Sequence, residues 1–198
     1  MTVILIALLL VLTLSPSFAD VHRVIQSVQP LQAKMVDGTL VIGCTATSIN
    51  EEKQYWLTAA HCLGKPRYID TEQVEIIYLN AKSDLAVVKT RSKPTKALKM
   101  ATRGPDYGDS IKIVGHPMGI TTPIMFQGYV AAPVIDEGYM LLDMESCAGD
   151  SGSAVVNEKD EIVAVVQVNM RGNGTYCSGT TGASPWAVMA RLVGRYFR

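Results

Sequence analysis

Three short stretches of the chain hold residue types that together can break a carbonyl–heteroatom bond by nucleophilic attack. Thr58-Ala59-Ala60-His61-Cys62, entered from Tyr55-Trp56-Leu57, carries an imidazole. Asp84-Leu85-Ala86-Val87-Val88 opens an apolar run with a carboxylate. Cys147-Ala148-Gly149-Asp150-Ser151-Gly152-Ser153 places a hydroxyl between a carboxylate and a glycine. A serine hydroxyl is a poor nucleophile at neutral pH, so a base must take its proton during attack. An imidazole serves near neutrality as both base and acid. A carboxylate behind it fixes its tautomer and stabilises the imidazolium. Residue type alone does not choose that carboxylate, because Asp70, Asp84, Asp106, Asp109, Asp136 and Asp143 all lie between His61 and Ser151.

Taken together and in this order, the three stretches resemble the trypsin/chymotrypsin-like serine peptidases, whose chain order is also His, Asp, Ser. The resemblance runs from about Leu40 to the C-terminal region. It selects Asp84, which stands 23 residues after His61 at the head of an Asp-Leu-Ala segment like the family's own. It implies a catalytic set of His61, Asp84 and Ser151, and an oxyanion hole made by the N–H groups of Gly149 and Ser151. Gly152 would keep the turn after the nucleophile tight. Ser153 departs from the second glycine usual in the animal enzymes, as it does in many bacterial relatives. Gly115-His116-Pro117-Met118-Gly119 is similar to a structural loop of the bacterial, HtrA-like branch, so His116 receives no catalytic role, and His22 reads as exposed.

The same resemblance orders the cysteines. Four of them allow three pairings, and the family pattern implies Cys44–Cys62 beside the histidine and Cys147–Cys177 across the specificity pocket. The HtrA-like branch usually lacks these bridges, so the chain mixes features of two branches. Glu145 falls where trypsin-like members carry the aspartate of the primary pocket, which implies attraction for Lys or Arg before the cut; it reads equally well as a solvated loop glutamate. Asn169 falls where those members carry a pocket-wall glycine, so its side chain would narrow the entrance. The Ile-Val-Gly-Gly start that supplies an ammonium partner to the aspartate before the nucleophile is missing. Asp150 therefore needs another partner if buried: an internal Arg, or an N-terminus made by cutting after Arg23.

The elements that must position these groups read as short strands broken by turn residues. They are expected at Leu40–Thr47, Tyr55–Ala59, Val74–Leu79, Leu85–Thr90, Ile111–Gly115, Ile124–Ala132, Tyr139–Asp143, Ser153–Val156, Ile162–Val168 and Trp186–Ala190. Asp37-Gly38 signals a hairpin turn, and Ala190–Arg198 a short terminal helix. Many short strands at this spacing indicate an antiparallel sandwich or barrel pair. The resemblance sharpens this to an all-β fold of two packed six-stranded antiparallel β-barrels, with halves at about 20–95 and 96–198 joined near Lys93-Pro94-Thr95-Lys96.

Composition narrows the function classes. In 198 residues, 18 basic and 18 acidic side chains cancel, and 48% are hydrophobic, which excludes a disordered chain and a basic nucleic-acid-coating protein. No close Cys-x-x-Cys pair suggests a metal finger. Val3–Leu14 is an apolar run too short to span a bilayer. Ser17 and Ala19 then put small residues where a signal peptidase reads, so residues 1–19 are expected to be a signal peptide and 20–198 the mature domain, although no Lys or Arg precedes the run. An even number of cysteines behind such a segment fits an oxidising compartment, extracellular or periplasmic. The expected molecule is a secreted monomeric serine endopeptidase acting on proteins or peptides through an acyl-enzyme on Ser151, with no metal or organic cofactor, no nucleic-acid partner and no membrane association after signal removal. The competing readings are a catalytically silent binding module on the same fold and a membrane-anchored structural protein. Asn173-Gly174-Thr175 is a glycosylation sequon in an expected loop.

Overall fold

The computed structural model describes residues 18–135, 138–169 and 177–198. The expected signal segment up to residue 17 and the Asn173 sequon lie outside the described residues. After helix α1 (Phe18–Gln26) come β1 (Val28–Lys34), β2 (Leu40–Asn50), β3 (Tyr55–Thr58), β4 (Arg67–Ile69), β5 (Glu72–Gln73), β6 (Glu75–Asn80) and β7 (Leu85–Lys89). These strands form one antiparallel sheet in the order β5-β4-β1-β2-β3-β7-β6. The second half holds β8 (Ser110–Gly115), β9 (Ile124–Ala132), β10 (Met140–Cys147), β11 (Ala154–Val156), β12 (Ile162–Asn169) and β13 (Cys177–Ala183). They close into a barrel in the order β10-β13-β12-β11-β8-β9. The architecture is thus the all-β double barrel, with a closed six-stranded second half and a seven-stranded first half that stays open between β5 and β6.

Local sequence explains most of this. Between β1 and β2, Gly38 takes φ +88° and Asp37 Oδ1 accepts the Thr39 N–H at 2.9 Å, which makes the turn the Asp-Gly pair signals. β1 contains Pro30 and still pairs with β2, because the strand on its other side, β4, meets only Gln32 and Ala33. The proline's missing donor therefore faces no ladder. β13, Cys-Ser-Gly-Thr-Thr-Gly-Ala, carries little apolar signal and is held as a strand by pairing with both β10 and β12.

One expected strand is a helix. Trp186–Ala190 opens α2 (Trp186–Val193), which starts four residues before the expected C-terminal helix and is followed by a 3₁₀ turn over Gly194–Phe197. Pro185, at φ −62°, stands at its N-cap and cannot continue β13, and Ala, Met, Arg and Leu favour the helix. Met189 and Val193, one turn apart, bury against both halves.

The core has three parts. Leu31, Trp56, Cys62 and Val88 fill the first sheet, and Ile111, Ile113, Leu142 and Val163 fill the barrel. A third cluster lies where the halves meet: Leu57, Leu85 and Val87 from the first pack with Val114, Val156, Ile162 and Val165 from the second, under Val24 of α1 and Met189 of α2. Burial of this shared seam holds the two halves in fixed register, which is what a site divided between them requires.

Candidate active site

His61 sits in a single 3₁₀ turn (Ala60–Leu63) directly after β3. Asp84 sits immediately before β7, the neighbour of β3 in the sheet, so the ladder brings the two loops together. Asp84 Oδ2 accepts the His61 Nδ1–H at 2.7 Å, and its Oδ1 accepts the His61 backbone N–H at 2.8 Å. The main-chain carbonyl of Asp84 accepts the Ala60 N–H at 3.2 Å. Asp84 adopts φ 47°, a left-handed conformation that aspartate tolerates better than most residues. The imidazole is about half exposed (47%) and the carboxylate less so (25%).

Ser151 comes from the other half, in the loop between β10 and β11. Its carbonyl lies 3.8 Å from Cys62 Sγ, and His61 Nε2 lies 3.8 Å from the same sulfur. The Cys44–Cys62 disulfide therefore stands beside both groups. A second disulfide, Cys147–Cys177, joins residues directly opposite each other on β10 and β13 at the foot of the Ser151 loop.

The loop's peptides are oriented by hydrogen bonds on one side. The Ala148 carbonyl accepts the Met118 N–H, the Gly149 carbonyl accepts the Thr45 hydroxyl at 2.9 Å, and the Asp150 carbonyl accepts the Ser153 N–H at 2.9 Å. Because a trans peptide points its C=O and N–H in opposite directions, the Gly149 and Ser151 N–H groups face away from those partners. Gly149 has φ +104°, and a Cβ there would run into the His116 carbonyl. Gly152 has φ +88°, and a Cβ there would strike the Thr45 carbonyl and the Thr58 hydroxyl. Both glycines are thus demanded by geometry.

Thr45 and Gln167 were not singled out by sequence reasoning. Thr45, fully buried on β2, donates its N–H to the Ser151 carbonyl at 2.9 Å and its hydroxyl to Gly149, and its Oγ1 accepts the His116 N–H at 3.0 Å. One first-half residue therefore clamps both ends of the Gly149–Ser151 segment. Gln167 on β12 reaches the opposite way: Nε2 donates to the Ser83 carbonyl at 2.6 Å and the Asp84 carbonyl at 3.3 Å. Their only sequence signal is polarity within strands that otherwise bury their side chains.

Asp150 is fully buried. Its Oδ2 accepts the Cys147 N–H at 2.8 Å, while Oδ1 has no partner among the described residues. The described ion pairs are His61–Asp84 and Lys112–Asp160, so the cationic partner that the sequence called for does not appear among the described residues. Arg23 instead donates to the Ala97 carbonyl. Burial raises the Asp150 carboxyl, the Cys147 N–H opposes this, the charge of Glu145 adds to it, and the result is about 6. His116 is buried too; loss of hydration lowers its imidazole, against hydrogen bonds with the Ile120 and Thr121 backbone. This keeps it a neutral structural group beside the loop.

Glu145 is exposed on β10, with its carboxylate within 4.8 Å of both sulfurs of Cys147–Cys177. Asn169 ends β12 with its backbone opposite Thr181, and its side chain lies outside the described residues. The candidate metal-ligand groups in the described structure, Cys44-His61-Cys62 and Glu145-Cys147-Cys177, use cysteines already bound in disulfides. No helix among the described residues is long and apolar enough to cross a membrane.

Comparison with known proteins agrees with this fold. The chain matches solved structures described as the HtrA-type protease AlgW with a decapeptide (18% identity, TM-score 0.74, 90% of this chain and 68% of that one) and the serine endoprotease from Yersinia pestis (19% identity, TM-score 0.71, 90% and 65%). It spans about two thirds of each, and at these identities the likeness speaks for the fold. The sequence model of the trypsin-like peptidase domain matches residues 44–165, which takes in His61, Asp84 and Ser151 and covers more than half of the chain. The chain belongs to the trypsin-like peptidase domain family.

Proposed function

We propose that this protein is a secreted serine endopeptidase using Ser151 as nucleophile, His61 as general base and acid, and Asp84 as the group that orients the imidazole. The observation that supports it most is the double grip of Asp84 on His61, through ring and main chain at 2.7 and 2.8 Å. With Nδ1–H donated to the Asp84 carboxylate, the Nε2 lone pair is directed away from it and takes the proton of the Ser151 hydroxyl as Oγ attacks the scissile carbonyl. The carbonyl π electrons move onto oxygen, where the Gly149 and Ser151 N–H groups receive the charge. Collapse of the tetrahedral adduct breaks the C–N bond, and the imidazolium protonates the departing amine. Water, deprotonated by His61, then attacks the ester, and Ser151 regains its proton as the acid product leaves. The chemistry uses this chain's own side chains and one water molecule.

The substrate class is polypeptide. A structural neighbour is described with a bound decapeptide, and the half-exposed His61 lies on an open face. Glu145, beside the Cys147–Cys177 bond, supports a preference for Lys or Arg before the cut. Because that carboxylate is exposed, the attraction is modest and weakens with salt.

Labelling with a fluorophosphonate and peptide mapping test the proposal. A single adduct on Ser151, together with cleavage of a peptide library that Ser151→Ala abolishes, is the expected result. Peptide binding with neither labelling nor cleavage would replace it with the silent binding module.

A further inference from the structure

The N–H groups assigned to the scissile oxygen, those of Gly149 and Ser151, belong to two peptide planes with a third between them, the plane joining Gly149 to Asp150. Rotation of that middle plane turns the two donors apart, and Gly149, lacking a Cβ, resists it little. Two donors that converge on one oxygen therefore need the middle plane fixed before a substrate arrives. Its N–H makes a turn bond inside the loop, from Asp150 to the Cys147 carbonyl at 3.0 Å. Its carbonyl is held from the other half of the protein, by the Thr45 hydroxyl at 2.9 Å.

The direction of that bond is forced. The His116 N–H reaches Thr45 Oγ1 at 3.0 Å and can only donate, so the oxygen accepts there. The Gly149 carbonyl can only accept, so the hydroxyl proton goes to it. Thr45 is fully buried, and its β-branch restricts rotation of the side chain. Its backbone is pinned as well: the N–H donates to the Ser151 carbonyl at 2.9 Å, and the carbonyl accepts the Thr58 hydroxyl at 2.8 Å. The same oxygen steadies the first donor plane at one remove. His116, held by Thr45, leads into Met118, whose N–H grips the Ala148 carbonyl and so orients the Gly149 N–H. An ion pair at Asp150 would be another way to hold this loop, but Asp150 enters none of the ion pairs among the described residues.

Resting on the peptidase reading above, we propose that Thr45 is the positioning residue that sets the oxyanion hole: its hydroxyl, acting through the Gly149 carbonyl, holds the Gly149 and Ser151 N–H groups in their convergent arrangement before a substrate binds. The hole is then set by a neutral hydroxyl from the first sheet and not by a charge on its own loop.

Kinetics of Thr45 variants test this on the intact protein. Thr45→Val keeps the shape of the side chain and drops the hydroxyl. Its kcat on a peptide substrate is expected to fall about tenfold or more, with KM within about twofold, because the charge that the hole receives develops only in the transition state. A peptide aldehyde, whose carbonyl carbon bonds Ser151 Oγ and whose oxygen then enters the hole, is expected to lose affinity by the same factor; the peptide alcohol of the same sequence is expected to lose none. Thr45→Ser restores the hydroxyl and is expected to return kcat and aldehyde affinity to within about threefold of wild type. If Thr45→Val does not fold, Thr45→Ala, which leaves room for water at the Gly149 carbonyl and the His116 N–H, takes its place with the same expectations. A hydroxyl-free variant with wild-type kcat overturns the proposal, as does a loss of kcat that Thr45→Ser shares in full. Asp150→Asn keeps an acceptor for the Cys147 N–H and discards the charge; a larger fall in kcat there than in Thr45→Val would show that charge holds the loop, and the proposal fails. In each of these cases the peptidase reading stands. A wild-type protein that neither cleaves the peptide nor takes a fluorophosphonate on Ser151 overturns both.

Discussion

Asp84 binds His61 twice, through Oδ1 to the main-chain N–H and through Oδ2 to the ring. A carboxylate accepts on both oxygens, whereas an amide has one acceptor and one donor. Asp84→Asn must lose one of the two bonds or turn the imidazole to the wrong tautomer. Asparagine tolerates φ 47°, so the fold is expected to survive. Turnover is expected to fall about ten-thousandfold, measured as kcat/KM beside an unchanged thermal transition. An Asp70→Asn protein with the greater loss would mean that the wrong carboxylate has been assigned.

Gln167 is expected to act on rate rather than affinity, because it touches the backbone under Asp84 and not the base itself. Gln167→Ala removes the donor and leaves two carbonyls without it. A fall in kcat of about tenfold, with KM within about twofold, is the expected outcome. The downfield proton resonance of His61 Nδ1 should broaden or shift in the same variant. A wild-type kcat and an unmoved resonance would reduce Gln167 to packing.

Asp150 makes stability depend on pH in the direction opposite to most carboxylates. Its native value of about 6 lies above the ordinary 3.8, so the folded state holds the proton more tightly than the unfolded chain. That contribution is fully present below pH 3.8, is lost as pH rises through 6, and is on the order of 3 kcal/mol. Asp150→Asn does not titrate and keeps an acceptor for the Cys147 N–H. Its stability relative to wild type, read by urea unfolding, should improve steadily from pH 4 to pH 7. A difference constant across that range would show that Asp150 is paired in solution.

Gly152→Ala should not yield an active protein. Its φ of +88° and the Thr45 and Thr58 oxygens that a Cβ would strike leave no space without moving β2 away from the Ser151 loop. Loss of both soluble expression and fluorophosphonate labelling is expected. Gly179→Ala, where a Cβ meets nothing within 4 Å, is the matched control.

The chemistry of the site is more legible in the sequence than its support. His61 and Ser151 stand out as candidates through the distinctive residues around them, whereas Asp84 is picked from several aspartates only by the family resemblance. The strands with alternating or continuous apolar residues are legible too. β1 and β13 are not, because one contains a proline and the other glycines and hydroxyls, and pairing partners far away in sequence make them strands. Trp186–Ala190 is rich in apolar residues at a length that suits either period, and Pro185 decides for the helix. Thr45 and Gln167 act across 104 and 83 residues of sequence, where no local pattern reports them. A partner for Asp150 was expected if it is buried; it is buried, and the described ion pairs do not include it.

The division of the site between two sheets has a consequence for the protein's life before it is finished. His61, Asp84 and Thr45 belong to the first sheet, while Gly149, Ser151 and Gln167 belong to the barrel that follows it. During synthesis His61 and Asp84 are made long before Ser151, and the Ser151 loop gains its Thr45 hydrogen bonds only when the halves meet across the seam. On the proposed mechanism, an incomplete chain hydrolyses nothing. If Ser151 is the nucleophile, hydrolysis begins only once the two halves have docked, and its onset serves as a clock for that step.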